Sequence, residues 1–189
     1  MTTGFDPTEL PSGLPVPTDD GAADGLLGAE LPPLRFPATT GGSLALRELA
    51  VETLVLFLYP RTGRPDVDPP PGWDEIPGAR GCTPQACAFR DRRADFDALG
   101  ANVAGLSSQR AEDQREAAER LGLSFPLLAD PELRLAAALE LPTFTVEGMR
   151  LYRRLTLVAR AGEVVRVFYP VFPPDRNADE VLAWLRAAA

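Results

Sequence analysis

The segment at residues 51–59 is apolar at almost every position and ends at Pro60. A half-exposed strand alternates apolar and polar residues, and a surface helix repeats apolar residues every three or four positions. A short run that shows neither pattern is typical of a strand buried on both faces. Such a strand needs further layers to cover it, so the run predicts a central sheet with helices on each side.

The remaining segments alternate between strand-like and helix-like patterns. Further strands are predicted at residues 102–106, 125–128, 155–159 and 164–168. Helices are predicted at residues 83–99, 111–121, 131–139 and 178–188, and Asn177 is the expected cap of the last one. The last two strands are joined by a turn at Ala161 and Gly162. Together these elements predict a three-layer α/β domain with a mixed central sheet flanked by helices.

Two regions stand apart from this pattern. Residues 1–40 carry six acidic residues and one Arg, which is −5 of the total formal charge of −8. We expect residues 1–30 to form an extended or disordered acidic arm, either solvated or wrapped on the domain or on a partner, and residues 31–189 to form the domain. Residues 60–84 hold seven prolines, so we expect residues 60–80 to form a long Pro-rich loop with a functional role, with Trp73 as a candidate apolar anchor.

Composition excludes several kinds of chemistry. The chain has no His, and all 19 of its basic residues are Arg. Ser-His-Asp and Cys-His catalysis, His-ligated metals and lysine Schiff bases are therefore excluded, and two cysteines alone are too few for a zinc site. The acidic charge disfavours nucleic acid and anionic membranes as partners. We find neither a membrane-spanning stretch nor a signal-peptide pattern, and we expect a cytoplasmic protein.

The two cysteines, Cys82 and Cys87, lie near the start of a predicted helix. Thr83 is the expected N-cap and Pro84 the first helical residue. Backbone N–H groups and the helix dipole favour an anion at that end, and a thiol placed there is commonly the reactive one. Arg80 would add positive charge nearby. Cys82 is therefore the candidate nucleophile.

The spacing of the two cysteines restricts how they can pair. In an intact helix, residues five apart are about 7.5 Å apart along the axis and about 140° apart around it. Their Cα atoms are then roughly 8–9 Å apart, beyond the roughly 7 Å limit for a disulfide. A bridge would require the first turn to unwind. The spacing fits a redox cycle with local unfolding, and it also fits two unrelated helical cysteines.

At these residues the chain resembles a known family. The segment at residues 81–91, GCTPQACAFRD, is similar to the GCTxEAxxFRD motif of peroxiredoxins, in particular the bacterioferritin-comigratory-protein or peroxiredoxin Q group. Further segments that resemble the family are LVLFLYP before the loop, FDALGANVAGLSS, LGLSFPLLADPE and RLTLV at residues 154–158. The resemblance extends over residues 30–186, which is most of the chain.

The resemblance implies a thioredoxin-like fold and a thiol peroxidase that needs no metal, haem or flavin. It matches Cys82 to the peroxidatic cysteine, Cys87 to the resolving cysteine and Arg154 to the arginine that orients thiolate and peroxide. The implied cycle reduces hydrogen peroxide or organic hydroperoxides and forms a Cys82–Cys87 disulfide. Thioredoxin or another dithiol would then reduce that disulfide. Both a monomer and a homodimer remain open.

One departure from the family's pattern matters for the reactive site. The family's Pro-x-x-x-Thr-x-x-Cys signature has a hydroxyl three residues before the cysteine, where this chain has Ala79. Pro60 is the expected match to the signature's proline, with an insertion before Cys82. Thr62 and Thr83 are the candidates to replace the hydroxyl. The loss of this hydroxyl favours one alternative, a thioredoxin-fold disulfide reductase or redox sensor. A second alternative is a non-enzymatic interaction module that uses the arm and the Pro-rich loop.

Overall fold

The apolar run at residues 51–59 contains the middle strand of a sheet. The structure, a computed structural model, describes residues 6–188. Its strands are β1 (Arg35–Pro37), β2 (Ser43–Ala45), β3 (Thr53–Leu58), β4 (Ala101–Ser107), β5 (Leu127–Ala129), β6 (Thr143–Val146), β7 (Met149–Tyr152), β8 (Leu155–Arg160) and β9 (Glu163–Phe168). Its α-helices are α1 (Leu46–Leu49), α2 (Cys82–Asp91), α3 (Arg93–Ala98), α4 (Ala111–Leu121), α5 (Arg134–Leu139) and α6 (Asn177–Ala187). Within the described residues, none of these helices is long and apolar enough to cross a lipid bilayer.

Five of the strands form one mixed sheet in the order β5-β4-β3-β8-β9. β3 pairs in parallel with β4 and antiparallel with β8, so it occupies the centre of the sheet. β8 and β9 are antiparallel neighbours and form the predicted hairpin. Residues 54–58 are at most 1% exposed to solvent. The predicted central strand and the α/β class are therefore confirmed.

Successive side chains of β3 enter two separate apolar cores, because neighbouring residues of a strand point to opposite faces. Residues 54, 56 and 58 pack with α1 and α5 on one face. Residues 55, 57 and 59 pack with α2, α3, α4 and α6 on the other. Phe57 stacks on Phe89 of α2 with ring centroids 4.5 Å apart. Because Cys82 belongs to this second core, the middle strand supports the helix that carries it.

The helix predicted at residues 83–99 is two helices, α2 and α3. The break falls at Arg92, which has φ −99° and ψ 7°. The Arg92 N–H group donates to the carbonyls of Ala88 and Arg90, which closes the last turn of α2. The change of direction allows Phe96 of α3 to pack against Phe89, with ring centroids 5.6 Å apart.

Two elements begin later than the sequence predicts. β5 starts at Leu127, one residue after Pro126, which has no N–H group for a sheet ladder. α5 starts at Arg134 because the buried carboxylate of Asp130 accepts the N–H groups of Arg134 and Leu135. Asp130 therefore satisfies donors that the first turn of a helix leaves free.

A hairpin formed by β6 and β7 was not predicted. Its turn consists of Glu147 and Gly148, which have φ of 47° and 72°. Two residues with positive φ are typical of the tight turns that join antiparallel strands. The segment TFTVEGMRLY contains this signal, an acidic residue followed by Gly between two short β-prone runs. The hairpin matters for the site because Arg154 follows β7 by two residues.

Residues 6–30 of the acidic arm lie along the surface of the domain. The Gly28 N–H group donates to the Val164 carbonyl of β9 at 2.8 Å. Leu26 is buried and joins the core that contains residues 54, 56 and 58 of β3. The Tyr169 hydroxyl donates to the Asp20 carboxylate at 2.9 Å. Backbone, apolar and polar contacts thus all anchor this segment, whereas residues 1–5 of the expected arm lie outside the described residues.

Candidate active site

A left-handed turn at Gly81 places Cys82 at the first position of α2. Gly81 has φ 101°, and a Cβ atom there would lie 2.3 Å from Pro174 Cγ and 2.9 Å from Leu10 Cδ1. Glycine is therefore required, and Gly81 is the N-cap of the helix. The prediction that Thr83 is the cap is wrong, because the turn at Gly81 starts the helix before Thr83. Cys82 lies where free backbone N–H groups favour an anion.

The sulfur of Cys82 has a polar partner in either protonation state. The residue is 3% exposed. As a thiol it can donate to the Ala79 carbonyl, 3.6 Å away. As a thiolate it can accept from Arg154 Nη2, 3.1 Å away. Ala79, which stands where the family has a hydroxyl, contributes its backbone oxygen to the site instead.

Arg154 lies between β7 and β8, and its guanidinium reaches back to the turn before α2. The residue is 3% exposed. Its guanidinium donates to the backbone carbonyls of residues 78–80, with Nη2 at 3.1–3.2 Å. Nη1 donates to Gln85 Oε1 at 2.5 Å. The structure thus brings together Cys82 and Arg154, which are 72 residues apart in the chain.

The sequence analysis missed Gln85, which connects the site to α6 and β8. Gln85 Nε2 donates to Asn177 Oδ1 at 3.0 Å, and Thr156 Oγ1 donates to the same oxygen at 2.7 Å. All three side chains are fully buried. The prediction that Asn177 caps the last helix is wrong. Asn177 lies within α6, and its side-chain oxygen accepts these two buried hydrogen bonds and does not cap the helix. The available signal was the spacing: Gln85 is three residues after Cys82, on the same helix face.

Arg80 is buried, and its guanidinium holds the arm. Nη2 donates to the Asp6 carbonyl at 2.7 Å and to the Glu9 carbonyl at 3.3 Å. Nη1 donates to Asp74 Oδ1 at 3.4 Å. The Arg80 guanidinium, expected from the sequence to supply positive charge beside Cys82, is thus engaged with the arm and with the inserted loop.

A narrow cleft leads to Cys82. Its interior has a cavity volume of about 40 Å³, and Thr62, Arg80 and Thr83 share its lining with the cysteine. The Thr62 hydroxyl donates to Gln109 Oε1 at 3.1 Å. The Thr83 hydroxyl is buried and has no hydrogen-bond partner among the described residues. One water molecule needs roughly 10–15 Å³ of such a cavity, so the cleft can hold a solute of a few heavy atoms.

Trp73 of the inserted loop forms one wall of this cleft. It is 5% exposed, and its ring lies 6.3 Å from the Phe144 ring of β6. The buried Leu151 of β7 and Ala79 complete this small apolar cluster. The loop is therefore anchored on the unpredicted hairpin, and Trp73 is both a packing residue and a wall of the cleft.

Cys87 lies in the same unbroken helix as Cys82. Both cysteines are free thiols, and Cys87 is partly buried. Burial raises the pKa of the Cys87 thiol, an effect that the nearby Arg90 guanidinium opposes. Cys87 is therefore a neutral thiol near pH 7. No group of three His, Cys, Asp or Glu side chains within residues 6–188 is arranged to bind a metal ion.

The chain is similar to known proteins over most of its length. The Redoxin family model matches residues 26–182. Chloroplastic peroxiredoxin Q from Sedum lineare is 29% identical over 163 residues, which cover 85% of this chain and 77% of that protein. Peroxiredoxin Bcp from Bacillus subtilis is 28% identical over 157 residues, which cover 81% of this chain and 90% of the relative.

Solved structures show the same likeness. Peroxidoxin BcpB from Mycobacterium tuberculosis superposes with a TM-score of 0.69 at 29% identity, over 86% of this chain and 97% of that one. A cysteine-to-serine variant of Xanthomonas campestris peroxiredoxin Q superposes with a TM-score of 0.68 at 28% identity, over 88% and 99% of the two chains. The expected thioredoxin-like fold is thereby confirmed. This chain belongs to the Redoxin family and is a peroxiredoxin of the Q and Bcp group.

Proposed function

We propose that this chain is a thiol peroxidase in which the Cys82 thiolate attacks the O–O bond of a peroxide. The observation that carries the proposal is the 3.1 Å contact between Arg154 Nη2 and Cys82 Sγ at the base of a narrow cleft. A buried thiolate needs a charged or strongly polar partner, and a guanidinium supplies a charge-assisted donor. A cysteine reacts as its thiolate, and a neighbouring arginine favours that form, so this pair supplies the attacking group without a His side chain.

The first step oxidises the sulfur by two electrons. A bond forms between Cys82 Sγ and one peroxide oxygen while the O–O bond breaks. The leaving oxygen takes up a proton and departs as water or alcohol, and Cys82 becomes a sulfenic acid. Negative charge moves from sulfur to the leaving oxygen during this step. Arg154 can stabilise that charge because its guanidinium is already fixed by the carbonyls of residues 78–80.

Thr83 is the best candidate for a second donor to the peroxide. Its hydroxyl is buried, lines the cleft beside Cys82 and has no partner among the described residues. Buried hydroxyls normally form a hydrogen bond, so an unpartnered one at a cleft is available to a ligand. The Thr62 hydroxyl lines the same cleft but already donates to Gln109. Thr83 therefore replaces the hydroxyl that Ala79 cannot supply.

Cys87 resolves the sulfenic acid. Its sulfur attacks Cys82 Sγ, the S–O bond breaks, water leaves, and a Cys82–Cys87 disulfide forms. The intact helix holds the two Cα atoms about 8–9 Å apart, so the first turns of α2 must unwind for this step. A dithiol protein of the thioredoxin type then reduces the disulfide by exchange. With only two cysteines, the chain has no disulfide framework of the kind that secreted proteins use, which fits a reducing compartment such as the cytoplasm.

Peroxide consumption in a coupled thioredoxin system tests this function. The wild-type chain should consume hydrogen peroxide or an organic hydroperoxide with turnover, and Cys82→Ser should abolish it. Rapid-mixing fluorescence of Trp73 and Trp184 should also report a fast change when peroxide is added. A Cys82 that reacts with peroxide no faster than a small-molecule thiol, yet exchanges readily with protein disulfides, would identify a reductase or redox sensor instead. Partner binding that survives loss of both cysteines would indicate an interaction module.

A further inference from the structure

The acidic arm runs across the turn that precedes Cys82. A Cβ atom at Gly81 would lie 2.9 Å from Leu10 Cδ1, and one at Gly78 would lie 3.6 Å from Pro17 Cγ. Two separate positions of the arm therefore pack against the two ends of this turn. Since the turn leads directly into α2, this part of the arm lies next to the reactive cysteine and not on a distant face of the domain.

Arg80, in the middle of the turn, joins the arm to it. The residue is buried, and its Nη2 atom donates to the Asp6 carbonyl at 2.7 Å and to the Glu9 carbonyl at 3.3 Å. Hydrogen bonds from a charged donor are stronger than those between neutral groups, and burial strengthens them further. The two acceptors lie on either side of Pro7 in the chain, so Arg80 fixes the part of the arm that carries this proline.

Pro7 is buried, although the residues on either side of it are exposed. It lines the cleft that leads to Cys82, together with Trp73 of the inserted loop. A proline ring is rigid and loses little conformational entropy when it is buried, so it suits the wall of a cleft. The arm therefore places one apolar residue of an otherwise exposed segment against the site.

The arm limits the space that a substrate can occupy beside Cys82. The cleft has a cavity volume of about 40 Å³, whereas one water molecule needs roughly 10–15 Å³. Hydrogen peroxide and short-chain alkyl hydroperoxides fit this space. A hydroperoxide with an aromatic ring close to its O–O bond does not fit unless a wall moves. Trp73 is packed in an apolar cluster with the β6–β7 hairpin, so the arm at Pro7 is the wall that can move with the least disruption.

We propose that Pro7, held at the cleft by Arg80, is a specificity-determining residue that restricts Cys82 to small peroxides. The inference rests on the proposed function and deepens it, because it names the class of peroxide that the same site accepts. Arg80 is a positioning residue, since it acts through the arm. A bulky hydroperoxide would react only with the fraction of molecules whose arm has detached, so its observed rate is reduced by that fraction.

Alkylation of Cys82 by two matched reagents tests access to the sulfur. All proteins carry Cys87→Ser, so that only Cys82 reacts. Iodoacetamide is the small reagent, and iodoacetanilide has the same reactive group with an added phenyl ring. Both react with the thiolate, so the ratio of their rates does not depend on the pKa of the thiol.

Pro7→Gly should raise the ratio of the iodoacetanilide rate to the iodoacetamide rate by about fivefold or more, because the cleft loses a wall. Pro11→Gly is the matched control. It makes the same backbone change in the arm, but Pro11 is exposed and does not line the cleft, so the ratio should stay at the parent value.

Arg80→Met tests whether Arg80 acts through the arm. It removes the bonds to the carbonyls of Asp6 and Glu9 and should raise the ratio at least as much as Pro7→Gly. Adding Pro7→Gly to Arg80→Met should then change the ratio little, because both substitutions open the same wall. Independent, multiplying effects of the two substitutions would overturn the positioning role of Arg80. The test at Pro7 stands by itself if Arg80→Met does not fold.

Peroxide kinetics test the specificity directly. The ratio of the rate with cumene hydroperoxide to the rate with hydrogen peroxide should rise in Pro7→Gly and stay at the parent value in Pro11→Gly. Equal ratios in these two variants would overturn the inference. A raised alkylation ratio with an unchanged peroxide ratio would overturn it too, because access would then not decide which peroxide reacts. Alkylation needs no peroxide, so a chain that reacts with neither peroxide but shows the raised alkylation ratio would refute the proposed function and support Pro7 as the wall that controls access.

Discussion

Arg154 Nη2 lies 3.1 Å from Cys82 Sγ, and the same nitrogen donates to the backbone carbonyls of residues 78–80. One guanidinium therefore contacts the reactive sulfur and shapes the turn that presents it. These two tasks require several donors in a fixed plane, which an ammonium group cannot provide. Substitutions at Arg154 should consequently change the chemistry and the local structure together.

Replacing Arg154 by Lys should slow the reaction with peroxide by at least about tenfold, equivalent to about 1.4 kcal/mol. Lys keeps the positive charge but loses the planar set of donors. Rapid mixing with hydrogen peroxide measures the rate. Arg153→Lys is the matched control, because the neighbouring side chain is 40% exposed and its ion pair with Asp20 is long, at 4.0 Å. If Arg154→Lys reacted at the wild-type rate, Arg154 would have a structural role only.

Replacing Thr83 by Val should move stability and activity in opposite directions. Val has nearly the same shape and removes a buried hydroxyl that has no partner among the described residues. The unfolding free energy should rise by about 1 kcal/mol, while the rate with peroxide should fall because the cleft loses a donor. Thr62→Val should instead lower the unfolding free energy, because it removes the hydrogen bond from the Thr62 hydroxyl to Gln109. A Thr83→Val protein with unchanged peroxide kinetics would remove Thr83 from the mechanism.

Oxidation should unwind the start of α2. One equivalent of hydrogen peroxide should give a monomeric species with no free thiol and a Cys82–Cys87 bond by peptide mapping. Amide hydrogen exchange should rise across residues 82–90 and stay nearly constant in β3, because local opening is confined to the segment that moves. Cys87→Ser should instead stop at sulfenic acid, over-oxidise or pair between chains. A Cys82–Cys82 bridge between wild-type chains would contradict the resolving role of Cys87.

The stability of the reduced protein should fall at alkaline pH in a way that depends on Cys87. Burial raises the pKa of this thiol above its ordinary value of 9.0, so the folded state holds the proton more tightly than the unfolded state. The stabilisation is complete below the unfolded value and is lost as pH rises through the folded value. Urea unfolding between pH 7 and about pH 10.5 measures this against Cys87→Ser, which should decline less. Parallel curves for the two proteins would show that Cys87 does not ionise differently on folding.

The sequence predicts the parts of this structure that depend on local pattern. The apolar run around β3 identifies the central strand because no half-exposed element tolerates that pattern. The positions of Cys82 and Cys87 on one helix also follow from local signals. The prediction of a cap at Thr83 was wrong because Ser and Thr are usual caps, whereas here the close approach of Pro174 and Leu10 requires the glycine two residues earlier, Gly81, and the helix starts there.

The contacts of the site itself depend on tertiary structure. Arg154 was found through family resemblance, since no periodicity relates residues 72 positions apart. Gln85 was overlooked because its one local signal, a spacing of three residues from Cys82 on the same helix, does not show which groups its side chain contacts. Its role becomes visible only when α6 and β8 supply Asn177 and Thr156. Similarly, the Arg80 guanidinium points to the arm because it donates to the carbonyls of Asp6 and Glu9. The polar composition of the arm gave no indication of this contact.

The bonds from Arg80 to the arm go to the peptide carbonyls of Asp6 and Glu9 and not to their carboxylates. A clasp made in this way recognises the path of the backbone, while the Asp6 carboxylate accepts from the N–H and hydroxyl groups of Thr8 within the arm. The arm segment over the cleft can therefore drift in sequence without losing its attachment, provided that its length and Arg80 are retained. Substituting Glu9 should leave the clasp closed, whereas inserting or deleting a residue between Asp6 and Glu9 would move one carbonyl out of register and open it.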